Sequence, residues 1–186
     1  HLLLLLFANC WLLSEFDEII ASHKSAQCIR SEYEGNGGYR EKLPLHKPYV
    51  NICKILTSYK PVDPKKITVP WQDIEDLKQP LTQIGFFDFE ELHFEVYEGK
   101  GGHLQGGIVL IDYNNHIALT GDIYINVRGL TPEQAEHNQY APILMTSVDT
   151  DPALCAEERK AILQRLGVGE WQIFGGHGFK KEYSVK

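Results

Sequence analysis

The middle of the chain carries the pattern that most narrowly limits how this protein folds. Residues 92–97 alternate apolar and polar side chains, which is the two-residue period of a strand with one buried face. Further apolar runs follow at 107–113 and 116–120, and Asn114-Asn115 between them are residues that tolerate a tight turn. The stretch therefore predicts three successive strands, the last two forming a hairpin.

Helices and short strands are predicted in mixed order around this hairpin. The predicted helices cover residues 1–13, 23–30, 48–59 and 152–166, with another starting at Thr131. The predicted short strands cover 19–22, 67–69 and 171–174. No repeat or convincing linker divides the chain, so a single domain of the α/β (α+β) class is predicted over residues 1–186.

Composition narrows the classes of partner and compartment. With 43% hydrophobic residues in 186, the chain can bury an ordinary core, and its net charge of −7 disfavours nucleic acid as a partner. The four cysteines form no closely spaced pair, which indicates reduced thiols in a cytoplasmic protein.

The apolar run at 2–6 is too short to cross a bilayer. We interpret it as a core element, with a truncated export signal as the alternative.

Three side chains able to bind a metal share one local format. His103, Asp122 and His177 each follow a predicted strand and stand next to glycine, in Gly-Gly-His-Leu-Gln-Gly-Gly, Leu-Thr-Gly-Asp and Gly-Gly-His-Gly. Glycine allows the tight bends that aim such side chains at one point. Imidazole nitrogens and a carboxylate suit Zn²⁺, and also Fe or Mn. The three together predict one metal site.

These motifs resemble those of the metallo-β-lactamase superfamily. Residues 89–122 are similar to its run of strand, histidine with a glycine-rich turn, hairpin and Thr-Gly-Asp, and 171–178 are similar to its terminal Gly-His-Gly. The resemblance implies a partial four-layer αββα sandwich, mainly its C-terminal half.

The resemblance also implies a chemistry. His103 would belong to a first metal site, Asp122 would bridge two ions and take part in catalysis, and His177 would complete the second site. Up to two ions, Zn²⁺ or Fe/Mn, would hold a hydroxide that attacks an ester, thioester, lactam or phosphoester of a small-molecule substrate. No membrane partner is implied.

The chain departs from the family at its beginning. The family motif His-x-His-x-Asp-His is expected within about residues 1–10, before a strand like Ile19–Ser22, but that stretch offers only His1. We therefore expect a fragment, or a lost motif, with little or no activity by itself. The alternative is a degenerate, non-catalytic member that serves as a protein-binding scaffold. A missing sheet would also expose apolar surface, so self-association or a homo-oligomer is expected.

For the polar residues outside these motifs, solvent exposure or structural packing is predicted rather than a part in the metal site. The histidines outside the motifs are His23, His46, His93, His116 and His137. Solvent exposure is predicted for His93 and His116, which lie on a polar strand face and at a turn. Solvation is predicted for the helix glutamates Glu133, Glu136, Glu157 and Glu158. The segment 140–149 is expected at the pocket rim, where it either contacts substrate or packs structurally.

Overall fold

The computed structural model describes residues 2–4, 16–56, 59–136 and 148–186. The described strands are β1 (Leu2–Leu4), β2 (Glu18–Ile20), β3 (Ile67–Thr68), β4 (Leu81–Phe89), β5 (Leu92–Gly99), β6 (Ile108–Asp112), β7 (Ile117–Gly121), β8 (Gly169–Gly175) and β9 (Lys181–Val185). The longer helices are α1 (His23–Tyr33), α2 (Lys47–Leu56) and α3 (Pro152–Arg165). A helical turn at 132–136 follows Thr131, as its capping sequence predicts.

The main sheet has six strands in the order β4-β5-β6-β7-β8-β9. All neighbours are antiparallel except β7 and β8, which run parallel. The predicted strands and the hairpin of β6 and β7 are confirmed, with slightly different bounds. Because β7 and β8 are parallel, their C-terminal ends lie at the same edge of the sheet, next to Asp122 and His177.

Two strands of this sheet were not predicted from the sequence. In β4 the pairing shifts between Gln83 and Gly85, so its apolar residues do not keep a two-residue period. Strand β9 lies at the sheet's other edge and is mostly polar and half-exposed, which leaves little hydrophobic signal.

A second, smaller sheet consists of the parallel strands β1, β2 and β3. The prediction of a helix over residues 1–13 is wrong for residues 2–4, which pair with β2 as a strand. A continuous run of leucines has no period, so the sequence cannot separate a buried helix from a buried strand there. The rest of that predicted helix lies outside the described residues.

Apolar side chains pack α1 on the small sheet, the small sheet on one face of the main sheet, and α3 on its other face. Ile19 of β2 packs with Ile29 of α1, whereas Ile20 on the opposite face packs against the main sheet. The other face of the main sheet, including Trp171, packs with Ile162 of α3. The predicted mixed α/β class is therefore confirmed. None of the described helices combines the length and apolarity that a bilayer crossing demands.

Candidate metal centre

The loop between β5 and β6 carries His103 and is fixed to helix α3. Gly101 and Gly106 have positive φ angles of 109° and 81°, which side chains rarely adopt. The backbone N–H groups of Gly101 and Gly102 donate to Oε1 of Glu158 at 2.8 and 2.9 Å. A Cβ at Gly102 would overlap the backbone of Cys155. Only glycine at this position lets the loop lie directly on α3.

The same loop is held from the other side by the start of helix α1. The hydroxyl groups of Ser22 and Ser25 each donate to the carbonyl oxygen of Gly106 at 2.9 Å. Ser22 also caps α1 by accepting from the N–H of Ser25. The loop is therefore fastened to α1 and α3, and the backbone at His103 has little freedom.

The imidazole of His103 has different partners on its two nitrogens. Nδ1 lies 2.9 Å from Oδ1 of Asp149. Nε2 lies 3.3 Å from a terminal nitrogen of Arg40 and 3.9 Å from Oδ2 of Asp122. The side chain is only 13% exposed. His103 therefore points its Nε2 at the carboxylate that the sequence singled out.

Asp122 directly follows β7, after Gly121 with a φ of 51°. Its Oδ1 is buried and has no hydrogen-bond donor among the described residues. A Cβ at Gly176 would overlap this oxygen, so glycine is required for β8 to end here. Burial raises the pKa of Asp122, and the opposing charges of His177 and His103 do not offset that effect.

His177 stands on the turn between β8 and β9 and approaches Asp122 from the solvent side. Its Nε2 lies 3.5 Å from Oδ1 of Asp122, and its side chain is 45% exposed. Gly178 next to it has a φ of 81°. The fold thus brings His103, Asp122 and His177 together from three separate strand ends. Their role as metal ligands stays a prediction.

A second group of side chains lies on the Nδ1 side of His103. His103, Asp149 and Cys155 present ligand atoms that all lie within 4.8 Å of one another, which makes them a candidate metal-binding group. Asp149 is also paired with Arg159, whose terminal nitrogen is 3.0 Å from both carboxylate oxygens.

Electrostatics sets the protonation of this second group. Burial acts to raise the pKa of Asp149, but the hydrogen bond from His103 and the charge of Arg159 hold it below its ordinary value. Burial raises the pKa of the Cys155 thiol. Asp149 is therefore a charged carboxylate and Cys155 a neutral thiol.

Sequence reasoning missed the contact between Asp149 and His103. It lies at the end of the segment 140–149, which was expected at the pocket rim, and residues 140–147 are outside the described part. The only local signal is that Asp149 shortly precedes α3, whose cap is Asp151. Nothing in that pattern relates it to His103, which stands in a distant loop.

Two predictions of solvent exposure are wrong. Glu158 is fully buried, because its carboxylate binds the glycine loop rather than water. Burial raises its pKa, and the loop N–H groups only partly oppose that effect. His116 stacks on Trp171 with 4.9 Å between ring centroids and is half-buried. His93 is exposed as predicted and pairs with Asp88, whereas His137 lies outside the described residues.

Helix α2 and the turn before it border the same site. His46 is 5% exposed, and burial lowers its pKa, with the charges of Arg40 and His103 acting in the same direction. Burial, with a hydrogen bond to Cys53, raises the pKa of Tyr49 to about 12, and the charge of Asp122 adds to the shift. Tyr49 therefore lies near Asp122 as a neutral neighbour, and His46 lies near Arg40 and His103.

The donor set at Asp122 fits a divalent cation. Two imidazole nitrogens flank one carboxylate, and histidine with carboxylate is a ligand set of Zn²⁺ sites. A buried carboxylate oxygen without a donor is costly unless a cation or water satisfies it.

Comparison with known proteins gives matches to solved structures but no sequence match. No family model matches the chain, and no curated protein matches it. The chain is similar to the crystal structure of BLEG-1 B3 metallo-β-lactamase, with 14% sequence identity and a TM-score of 0.42. The match covers 89% of this chain and 59% of that chain, so this chain spans about three-fifths of that protein. That structure bears the name of the superfamily that residues 89–122 and 171–178 resemble.

Proposed function

We propose that this chain is the metal-binding part of a hydrolase of the metallo-β-lactamase superfamily. His103, Asp122 and His177 would hold a divalent cation. The observation that supports this best is the position of the Asp122 carboxylate, with imidazole nitrogens 3.9 and 3.5 Å from its two oxygens. One of those oxygens is buried and lacks a donor in the described ranges.

Each of these side chains contributes something different. Asp122 supplies negative charge in a poorly solvated place, where a carboxylate attracts a cation strongly. His103 offers Nε2 from a rigid loop, whereas His177 closes the site from the solvent side, where a substrate would enter. A bound Zn²⁺, Fe or Mn ion would supply Lewis acidity for a substrate oxygen and would make water acidic near neutral pH.

The proposed substrates are small molecules with an ester, thioester, lactam or phosphoester bond. Fold and ligand set do not choose among them. The described residues bring three candidate ligands together, which are few for a pair of ions, so we expect at most one tightly held ion and little or no hydrolysis by this chain. We propose a cytoplasmic protein with reduced thiols, in line with its cysteine spacing.

Calorimetric titration of the chain with Zn²⁺ tests this proposal. The wild type is expected to bind one ion, and the variants His103→Ala, Asp122→Asn and His177→Ala are each expected to bind it at least tenfold more weakly. His93→Ala is the matched control, because that histidine also pairs with an aspartate but lies at the end of β5 opposite to the loop that carries His103. Equal affinity in all five proteins would refute the proposal. Tight binding of two ions would refute the expectation that this chain holds at most one.

A second function is favoured by one specific contact. Arg40 directs its guanidinium at Nε2 of His103 and donates to the carbonyl oxygen of Val148 at 2.6 Å. An internal cation at this point fits a non-catalytic member that keeps the scaffold to bind another protein. Absence of Zn²⁺ binding in wild type, together with its appearance in Arg40→Ala, would favour that alternative.

Self-association is proposed on the strength of exposed apolar side chains. Ile55 of α2 is 77% exposed, and Phe86 and Phe89 of β4 are 56% and 50% exposed. Light scattering over a concentration series checks this, and a monodisperse monomer at every concentration would contradict it.

A further inference from the structure

His103 is anchored at the nitrogen that faces away from Asp122. Its Nδ1 lies 2.9 Å from Oδ1 of Asp149, and the Asp149 side chain is only 8% exposed. The Asp149 carboxylate also faces Arg159, and an ionised carboxylate is an acceptor only, so this contact requires a proton on Nδ1.

Arg159 fixes the carboxylate in turn. One terminal nitrogen contacts both oxygens of Asp149 at 3.0 Å, and Nε donates to the carbonyl oxygen of Ile123 at 2.7 Å. Ile123 directly follows Asp122 in the chain. The arginine therefore ties the support of His103 to the backbone next to the other candidate ligand.

We infer that Asp149 and Arg159 form a positioning pair, which holds His103 with its proton on Nδ1 and its Nε2 turned towards Asp122. The inference rests on the proposed function and extends it to residues that do not touch the cation. The contact from Arg40 agrees, because a guanidinium can only donate and so needs an unprotonated Nε2. Metal-binding histidines commonly donate their second N–H to a carboxylate, which fixes the tautomer and ring orientation.

A competing arrangement uses the same residues differently. His103, Asp149 and Cys155 lie within 4.8 Å of one another and could hold an ion themselves. The position of Arg159 argues against this, because both oxygens of Asp149 already face a fixed positive charge. A cation bound there would have to displace the guanidinium or share the carboxylate with it.

The first test measures the His103 tautomer in the metal-free protein. Long-range ¹⁵N–¹H NMR, at a pH where the ring is neutral, should show the proton on Nδ1 in the wild type. Asp149→Ala should shift the ring towards the Nε2-protonated form, and Asp149→Asn should give an intermediate result, because an amide oxygen still accepts. Asp88→Ala is the matched control, since Asp88 pairs with His93 elsewhere. An unchanged His103 tautomer in Asp149→Ala would overturn the inference.

The second test measures Co²⁺ affinity and the Co²⁺ absorption spectrum. Affinity should fall by about 10–100-fold in Asp149→Ala, less in Asp149→Asn, and not at all in Cys155→Ser. A sulfur-to-cobalt charge-transfer band in the wild type, or loss of affinity in Cys155→Ser, would overturn the inference in favour of the competing group. If Asp149→Ala does not fold, as judged by circular dichroism, equal affinity of Asp149→Asn and wild type overturns it instead.

The two tests separate this inference from the proposed function. A wild type that shows the Nδ1 proton and loses it in Asp149→Ala, yet binds no Co²⁺, refutes the proposed function and supports the positioning role. A wild type that binds Co²⁺ through Asp122, with a His103 tautomer that does not change in Asp149→Ala, supports the proposed function and refutes the positioning role.

Discussion

Two aspartates at the ends of neighbouring strands, the fully buried Asp112 and the partly buried Asp122, have opposite surroundings. Asp112 ends β6, and its oxygens accept from the N–H groups of His93, Asn114 and Asn115 and from the Asn115 side chain. Asp122 follows β7, and its Oδ1 has no donor among the residues described. Burial alone would raise the pKa of both, but the hydrogen bonds hold the pKa of Asp112 below its ordinary value, whereas the pKa of Asp122 is raised.

The comparison separates a structural carboxylate from one that we propose to be a metal ligand. Folding has satisfied Asp112 completely, so that its charge stabilises the turn between β6 and β7. Asp122 is kept poorly satisfied between two imidazoles, at a cost to the fold that a bound cation would offset. Two residues of the same type therefore need not have the same role, and we expect the donors around each carboxylate to decide its role.

The largest effect is expected from removing the satisfied carboxylate. Asp112→Ala should lower the free energy of unfolding by about 3–4 kcal/mol, because three backbone N–H groups and one side-chain amide lose a fully buried charged acceptor at once. Urea unfolding measures this. A loss below about 1 kcal/mol would show that the turn does not depend on Asp112.

Asp122→Asn should affect cation binding and spare the fold. Zn²⁺ affinity is expected to fall on the order of 100-fold, because the charge between the imidazoles is lost. In the metal-free protein the free energy of unfolding should stay within about 1 kcal/mol of wild type or rise, because a charge with a raised pKa has been removed. A large loss of metal-free stability would place Asp122 with Asp112 as a structural residue.

The two aspartates should also respond to pH with opposite sign. The lowered pKa of Asp112 contributes stability above its unfolded pKa of about 3.9, and this is lost as pH falls through the folded pKa. The raised pKa of Asp122 contributes stability below about pH 3.9, and this is lost as pH rises through its folded pKa. Urea unfolding of wild type, Asp112→Ala and Asp122→Asn across this range checks the prediction, and parallel curves for the three proteins would contradict it.

The smallest effect is expected from Arg40. Its guanidinium contacts Nε2 of His103, and we expect this contact to compete with any other cation for that nitrogen. Arg40→Ala should therefore raise Zn²⁺ affinity by about threefold to tenfold, which corresponds to roughly 0.7–1.4 kcal/mol. Calorimetry measures the change, with Arg30→Ala as a control on α1. Weaker binding in Arg40→Ala would mean that the arginine supports the site rather than competing for it.

The sequence predicts the part of the site that local chemistry defines. Strand ends followed by glycine indicate that His103, Asp122 and His177 can bend towards one point, and their side chains do meet. The parallel pairing of β7 with β8, which places Asp122 and His177 at one edge, is a long-range feature that no local pattern contains.

The residues that support the site could not be predicted. Glu158 is followed by Arg159 and Lys160 in a helix, which is a typical solvated pattern, yet its carboxylate is buried under the glycine loop. Asp149 and Arg40 reach His103 from distant parts of the chain. Strand β4 was missed for a related reason, because its bulge is visible only once it pairs with β5.

X-ray absorption spectroscopy of the chain loaded with one equivalent of Zn²⁺ tests most directly whether Asp122 and its two histidines form a cation site. We predict nitrogen and oxygen neighbours only, with outer-shell scattering from two imidazoles that falls to one in His177→Ala. A sulfur neighbour, or a spectrum unchanged in His177→Ala, would contradict this account.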